Sequence, residues 1–165
     1  MIYQEYLSCL SDKAKILLKE KNDKYLAYVP ILNLLTMFQD KKKEYYTLDE
    51  HSHLHRVKGI EYVGMQEFFI LETFSGSKLY LGQDTEILVD TQWIMAHQIT
   101  YHERIYEYNF LNNHFQETYI TMFEHYGAMK AYQVYSEKDT GMIVDNLIIR
   151  FDNTQPLDLH LFPKK

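Results

Sequence analysis

A chain of 165 residues that is 46% hydrophobic can bury a real core, and the length favours a single domain over residues 1–165 with no linker. The formal charge of −6 opposes nucleic-acid binding, where affinity comes from Lys and Arg releasing counterions. One cysteine, Cys9, excludes an internal disulfide. Met1 to Leu10 has neither the basic start nor the apolar run of a secretory leader. The longest apolar stretch, Tyr25 to Phe38, is interrupted by Pro30, Asn33 and Thr36, which argues against a membrane span. The expected setting is the cytoplasm.

Fifteen Tyr and nine Phe against three Pro and six Gly favour strands, because rings pack well on pleated surfaces. Ile2 to Leu7 reads as an edge strand. Ala14 to Leu18, the polar cluster Lys19 to Lys24, and Tyr25 to Val29 read as a hairpin. Pro30 opens a two-turn helix through Ile31, Leu34, Leu35 and Phe38. Gln39 to Arg56 is a polar surface connection with a strand at Tyr45 to Leu48. Its run Lys41-Lys42-Lys43 reads as a solvated turn, with an anion contact as the alternative.

Beyond it, Ser75-Gly76-Ser77 and Gly82-Gln83-Asp84 turn the chain into strands at Lys78 to Leu81 and Ile87 to Val89. Trp93, Ile94 and His97 predict a short helix over Thr91 to Ile99 with Thr91 as its N-cap. Arg104 to Phe110 alternates as a strand and Leu111 to Asn113 turns. Met142 to Phe151 bends at Asp145-Asn146, with Ile143, Leu147 and Ile149 predicted to share a face. Leu157, Leu159 and Leu161 read as a final strand or a packed tail.

One segment recurs. Shifted by 63 residues, Ile60-Glu61-Tyr62-Val63-Gly64 falls on Phe123-Glu124-His125-Tyr126-Gly127, Phe69 on Tyr132 and Leu71 on Val134. Both copies, Leu54 to Phe74 and Phe115 to Tyr135, read as strand, turn at glycine, strand. Two copies of one β unit predict a pseudo-two-fold core.

Candidate chemistry is sparse. His51, His53 and His55 would line one face of a strand near Asp49 and could hold Zn or Ni. The reading preferred is neutral histidines in a polar loop, with no metal and no cofactor. His97, His102 and His125 are expected to pack at element edges.

Several stretches, in order, resemble the Hint superfamily of inteins and hedgehog autoprocessing domains. Cys9-Leu10 followed by Lys15-Ile16-Leu17-Leu18 is similar to an intein's opening block, and Pro30-Ile31 with Leu34 to the "P-I-x-x-L" that follows. Gly76 to Leu88, GSKLYLGQDTEIL, resembles the block in which a strand leads to T-x-x-H. Trp93 to Ile99 with Glu103 to Tyr106 resembles "W-x-x-A-x-x-L … G-D-x-V". Ala131 to Ile149 resembles the closing blocks, a V-Y-x-V strand running into "F-x-x-N-G-I-I-V-H-N". The resemblance implies a mainly β, pseudo-two-fold disc with one or two short helices, a Hint core over 9–151 and short terminal tails.

It also implies a chemistry. The opening cysteine attacks the preceding carbonyl and converts an amide to a thioester, while the family's threonine and histidine polarise that carbonyl and protonate the leaving nitrogen. Those two positions fall here on Gly82 and Thr85, and the closing histidine and asparagine on Arg150 and Phe151. Threonine has no pKa near neutrality, and a phenyl ring cannot cyclise. Asn153-Thr154, two residues on, is the alternative C-terminal pair.

Excision of Cys9 to Asn153 would leave only Met1–Ser8 joined to Thr154–Lys165, a short host. The favoured reading is therefore a splicing-inactive Hint-like module that stays whole and is not an enzyme. In it Cys9 is a buried hydrophobe, and the tails engage a protein partner or a second copy, in a virion such as a phage particle or another large assembly. The alternative is an autocatalytic mini-intein or self-cleaving domain using Cys9, Thr85, Asn153 and Thr154.

Overall fold

The computed structural model describes residues 8–100, 103–138 and 141–151. The strands expected at Ile2 to Leu7 and at Leu157, Leu159 and Leu161 lie outside them, as do both proposed contact tails. Among these residues twelve strands form one sheet: β1 (Leu10–Ser11), β2 (Lys15–Glu20), β3 (Ala27–Pro30), β4 (Tyr45–Leu48), β5 (Leu54–Thr73), β6 (Lys78–Gly82), β7 (Glu86–Val89), β8 (Gln92–Met95), β9 (Arg104–Asn109), β10 (His114–Ser136), β11 (Met142–Val144) and β12 (Leu147–Arg150). The single α-helix among the described residues, α1, spans Ile31–Met37. Pro30 stands at its N-cap, and Ile31 and Leu34 are its buried residues, as the spacing predicts.

The organising element is a long antiparallel ribbon of β5 and β10, paired from Val57↔Ser136 to Thr73↔Ile120. Four ribbon residues are skipped by the register: Lys58 and Val63 in β5, Thr121 and Tyr126 in β10. Each member of the first pair stands 63 residues before its counterpart in the second, so the bulges obey the same duplication as the sequence. Gly64 and Gly127 follow Val63 and Tyr126 with φ of +95° and +136°, a region side chains resist. The turn expected at each glycine is thus a bulge, and each predicted strand–turn–strand is one unbroken strand. An extra residue, unlike a turn, bends the strand without ending the ladder.

Two other local expectations change. Thr91 to Ile99 is not a helix: Asp90 and Thr91 adopt φ of +48° and +71° and form a tight hairpin turn, after which β8 pairs with β7 through Leu88↔Trp93 and Ile87↔Ile94. Only Ala96–Gln98 makes a 3₁₀ turn. The β11–β12 hairpin does bend at Asp145-Asn146, with φ of +48° and +75°. Ile143 and Ile148, however, pack in one cluster while Leu147 and Ile149 join the main core on the other face. Strand alternation across a two-residue turn requires this.

Candidate functional site

The chain enters the sheet at β1, where Leu10 is paired to Tyr132 of β10 on one side and Leu81 of β6 on the other. This clamps the preceding Ser8–Cys9 peptide inside the protein, with Ser8, Cys9 and Thr85 fully buried and Gln133 1% exposed. The Cys9 N–H donates to Thr85 Oγ1 at 2.9 Å, and that hydroxyl donates to the Cys9 carbonyl at 3.1 Å. The Gly82 N–H lies 3.4 Å from the same carbonyl. On the Ser8 side, Gln133 Nε2 donates to the carbonyl oxygen at 2.5 Å. Since a carbonyl only accepts, the amide nitrogen of Gln133 must face it.

Local backbone bonds fix Thr85. Its N–H donates to the Gly82 carbonyl at 3.1 Å and its carbonyl accepts from the Ala96 N–H at 2.9 Å, pinning the β6–β7 turn to the 3₁₀ turn. Gln133 is held by β10, in the run Ala131 to Val134 that is buried at every position. The Cys9 side chain packs with Phe68, Met129 and Ala131, flanked by Val63 and Tyr80. All three core partners lie between the two glycine bulges, Gly127 facing Phe68 and Gly64 facing Ala131. Burial pushes the Cys9 thiol pKa up, so it is held as the neutral thiol.

The other end of the Hint resemblance converges on the same place. β12 pairs with β7 as Ile149↔Ile87 and Arg150↔Glu86, and one further step of that register brings Phe151 abreast of Thr85. Phe151 is 2% exposed and belongs to the main core. Arg150 Nε donates to Glu86 Oε1 at 2.8 Å while its guanidinium lies 4.5 Å above the Trp93 ring. Asn153 and Thr154 fall outside the described residues.

No protein-family model matches the sequence, and no curated protein matches it. Solved structures do. The VidaL intein aligns with 87% of this chain and 97% of its own at a TM-score of 0.72 and 10% identity. A DnaB intein from Synechocystis sp. PCC 6803 aligns with 87% and 98% at 0.71 and 16%. An intein from a hyperthermophile aligns with 87% and 99% at 0.72 and 11%. This is an intein-like Hint fold.

The likeness corrects the functional expectation. The reading of the chain as a splicing-inactive structural or interaction module that is not an enzyme is overturned, because the structures it resembles are inteins. They lend no support to a structural part in a virion or bacteriophage. Gly82, Thr85, Arg150 and Phe151 do lack the groups that the resemblance implies at those positions. The hydrogen bonds that Thr85 and Gln133 make to the Ser8–Cys9 peptide arise only in the folded chain.

Gln133 was the residue missed. It is the variable "x" of the V-Y-x-V resemblance, and its signal was an amide set inside the apolar run Ala131-Tyr132-Gln133-Val134. Such a group, when buried, must find a partner.

The histidine row does not form. Ser52 at φ +63° turns the chain, so His51 and His53 lie in a turn and only His55 lies on β5. Asp49 organises this turn: Oδ1 accepts from the His51 and His53 N–H groups at 2.8 and 2.9 Å, and Oδ2 lies 2.5 Å from His55 Nε2. Burial works to raise the Asp49 pKa, but the bonds from His53, His55 and His51 outweigh it and hold the carboxyl below its usual range. Among the described residues no three His, Cys, Asp or Glu side chains gather as a metal site. His97 and His125, expected to pack at element edges, pair with Asp84 at 3.5 Å and Glu67 at 2.7 Å. His102 lies outside the described residues.

A second, part-buried polar cluster around Ser77 and Glu107 is bonded internally. Glu107 accepts from Ser77 Oγ at 2.7 Å and Gln116 Nε2 at 2.9 Å; Asn146 donates to Ser77 Oγ at 3.2 Å and accepts from the Tyr28 hydroxyl at 2.6 Å. Beside it, burial pushes the Asp145 carboxyl up to about 6. Its bonds run from side chain to side chain, which suits cohesion.

Proposed function

We propose that this chain is a self-cleaving, intein-like Hint domain whose reacting bond is Ser8–Cys9. The observation that carries the reading is the burial of that one peptide between Thr85 on its nitrogen and Gln133 on its carbonyl oxygen. Cys9 Sγ adds to the Ser8 carbonyl carbon and forms a C–S bond. The C–N bond to Cys9 then breaks, and the thiol proton ends on the freed Cys9 amine. The product is a thioester in place of the amide, open to an external thiol or to hydroxylamine.

Thr85 Oγ1 sits where the leaving nitrogen needs a proton, and its O–H can turn from the Cys9 carbonyl to that nitrogen as the bond breaks. It is a relay and not an acid, so the step lacks the roughly 10²–10⁴-fold that a tuned general acid supplies, and it is slow. At the far end Phe151 has no group able to cyclise. Asn153 followed by Thr154 carries the pair that the Hint resemblance requires there.

Intact mass after prolonged incubation with hydroxylamine tests the reading. The expected result is a fragment beginning at Cys9 together with the Met1–Ser8 hydroxamate, both absent from Cys9→Ala. A further species ending at Asn153 would mark the C-terminal step. A single full-length mass in both proteins would overturn the proposal.

A further inference from the structure

The resemblance places a threonine at the position of Gly82, where it would help to polarise the reacting carbonyl, and glycine has no side chain to do so. In this structure the Gly82 N–H reaches the Cys9 carbonyl, one residue past the reacting one. A donor to the Ser8 carbonyl oxygen comes from another strand, β10, as the 2.5 Å bond from Gln133. We infer that Gln133 is a catalytic residue of this chain, the donor that stabilises the oxyanion of the Ser8 carbonyl and replaces the side chain absent at Gly82. This rests on the reading of Ser8–Cys9 as the reacting bond.

The chemistry of the contact favours the assignment. When Cys9 Sγ adds to the Ser8 carbon, the C=O π pair moves onto oxygen and one negative charge develops there. A neutral primary amide can donate to that oxygen without taking a proton or carrying a charge into the core. Gln133 is 1% exposed, so solvent screens the field of its N–H dipole little.

β10 supplies rigidity, pairing with β5 through Gln133↔Glu61 and, one residue before, with β1 through Tyr132↔Leu10. The donor and the strand that carries the reacting bond are thus fixed to one another by the same ladder. When the C–N bond breaks, the π pair returns to carbon, and the oxygen again accepts one ordinary hydrogen bond from Gln133 in the thioester.

Two variants test the role, each followed by the rate of hydroxylamine cleavage. Gln133→Met keeps most of the volume and removes the donor. Cleavage should slow about 100-fold, the usual cost of one oxyanion donor, with the melting transition still cooperative. Gln133→Glu adds a readout that a packing role would not move. An ionised carboxylate opposes the oxyanion, whereas a protonated one donates to it, so the ratio of variant to wild-type rate should climb as pH falls.

The titratable neighbours, Cys9 and the cross-strand Glu61 bonded to the Tyr135 hydroxyl, are common to both proteins, and the ratio cancels their titration. Wild-type rates in Gln133→Met, or a ratio flat with pH in Gln133→Glu, would overturn the role of Gln133 while leaving cleavage at Ser8–Cys9 standing. If Gln133→Met fails to fold, the Gln133→Glu ratio decides alone. Absence of cleavage in the wild type would instead remove the parent reading.

Discussion

The two halves of the central ribbon are built alike and act differently. β5 and β10 carry the same bulges at the same 63-residue offset, the one at Val63 and its counterpart at Tyr126 each followed by a glycine of positive φ, and together the strands supply the floor on which Cys9 packs. The counterpart of Gln133 under that offset is Ile70, a half-buried aliphatic residue that can donate nothing. Symmetry therefore makes the scaffold, and one broken position places a donor on one carbonyl. Duplicated sheets give geometry cheaply, while chemistry needs the copies to diverge.

The asymmetric side carries the largest expected effect. Thr85→Ala leaves the buried Cys9 N–H without its acceptor, a cost of about 1–3 kcal/mol to the fold. It also removes the relay, so hydroxylamine cleavage should slow at least about tenfold, near 1.4 kcal/mol in the barrier. Denaturant melts and cleavage rates check the two effects separately, and unchanged values in both would detach Thr85 from the site.

The symmetric side predicts equality. An added Cβ at Gly64 or Gly127 meets nothing within 4 Å, so only the positive φ opposes a side chain there. Gly64→Val and Gly127→Val should each cost about 1 kcal/mol or more, by similar amounts. A large cost at one glycine and none at the other, measured by melting, would break the equivalence of the halves.

A smaller effect lies outside the ribbon. The Asp145 carboxyl, raised from 3.8 to about 6, binds its proton more tightly in the folded chain than in the unfolded one. Stability should therefore fall as pH rises between about 4 and about 6, and the loss should persist at neutral pH. Asp145→Asn removes that titration and keeps a residue suited to φ of +48°. It should be more stable than the wild type at pH 7, with the gain shrinking towards pH 4. A constant difference across that range would assign the effect to something other than the carboxyl.

Much of the scaffold was legible because its signals are local or periodic. Alternation gave β4 to the residue, Pro30 with Ile31 and Leu34 gave α1, and the self-similarity around Gly64 and Gly127 gave the pseudo-two-fold. The same glycines read as turns in the sequence, since a bulge and a turn both call for a positive φ and only the cross-strand register separates them. Trp93, Ile94 and His97 mimicked a helix in a stretch too short for period to decide between helix and strand. The site was half legible. Cys9 and Thr85 stood at positions the Hint resemblance marks, but Gln133 becomes a candidate only when folding brings β10 beside Ser8, 125 residues away in sequence.

The central claim concerns one bond, and the single cysteine makes that bond addressable. With serine labelled at its carbonyl carbon by ¹³C and cysteine at its nitrogen by ¹⁵N, Ser8–Cys9 is the only directly bonded labelled pair in the chain. The account predicts that its one-bond carbon–nitrogen coupling disappears from the folded protein as hydroxylamine is added, and persists in Gln133→Met over the same time. A coupling that survives undiminished in the folded wild type would contradict it.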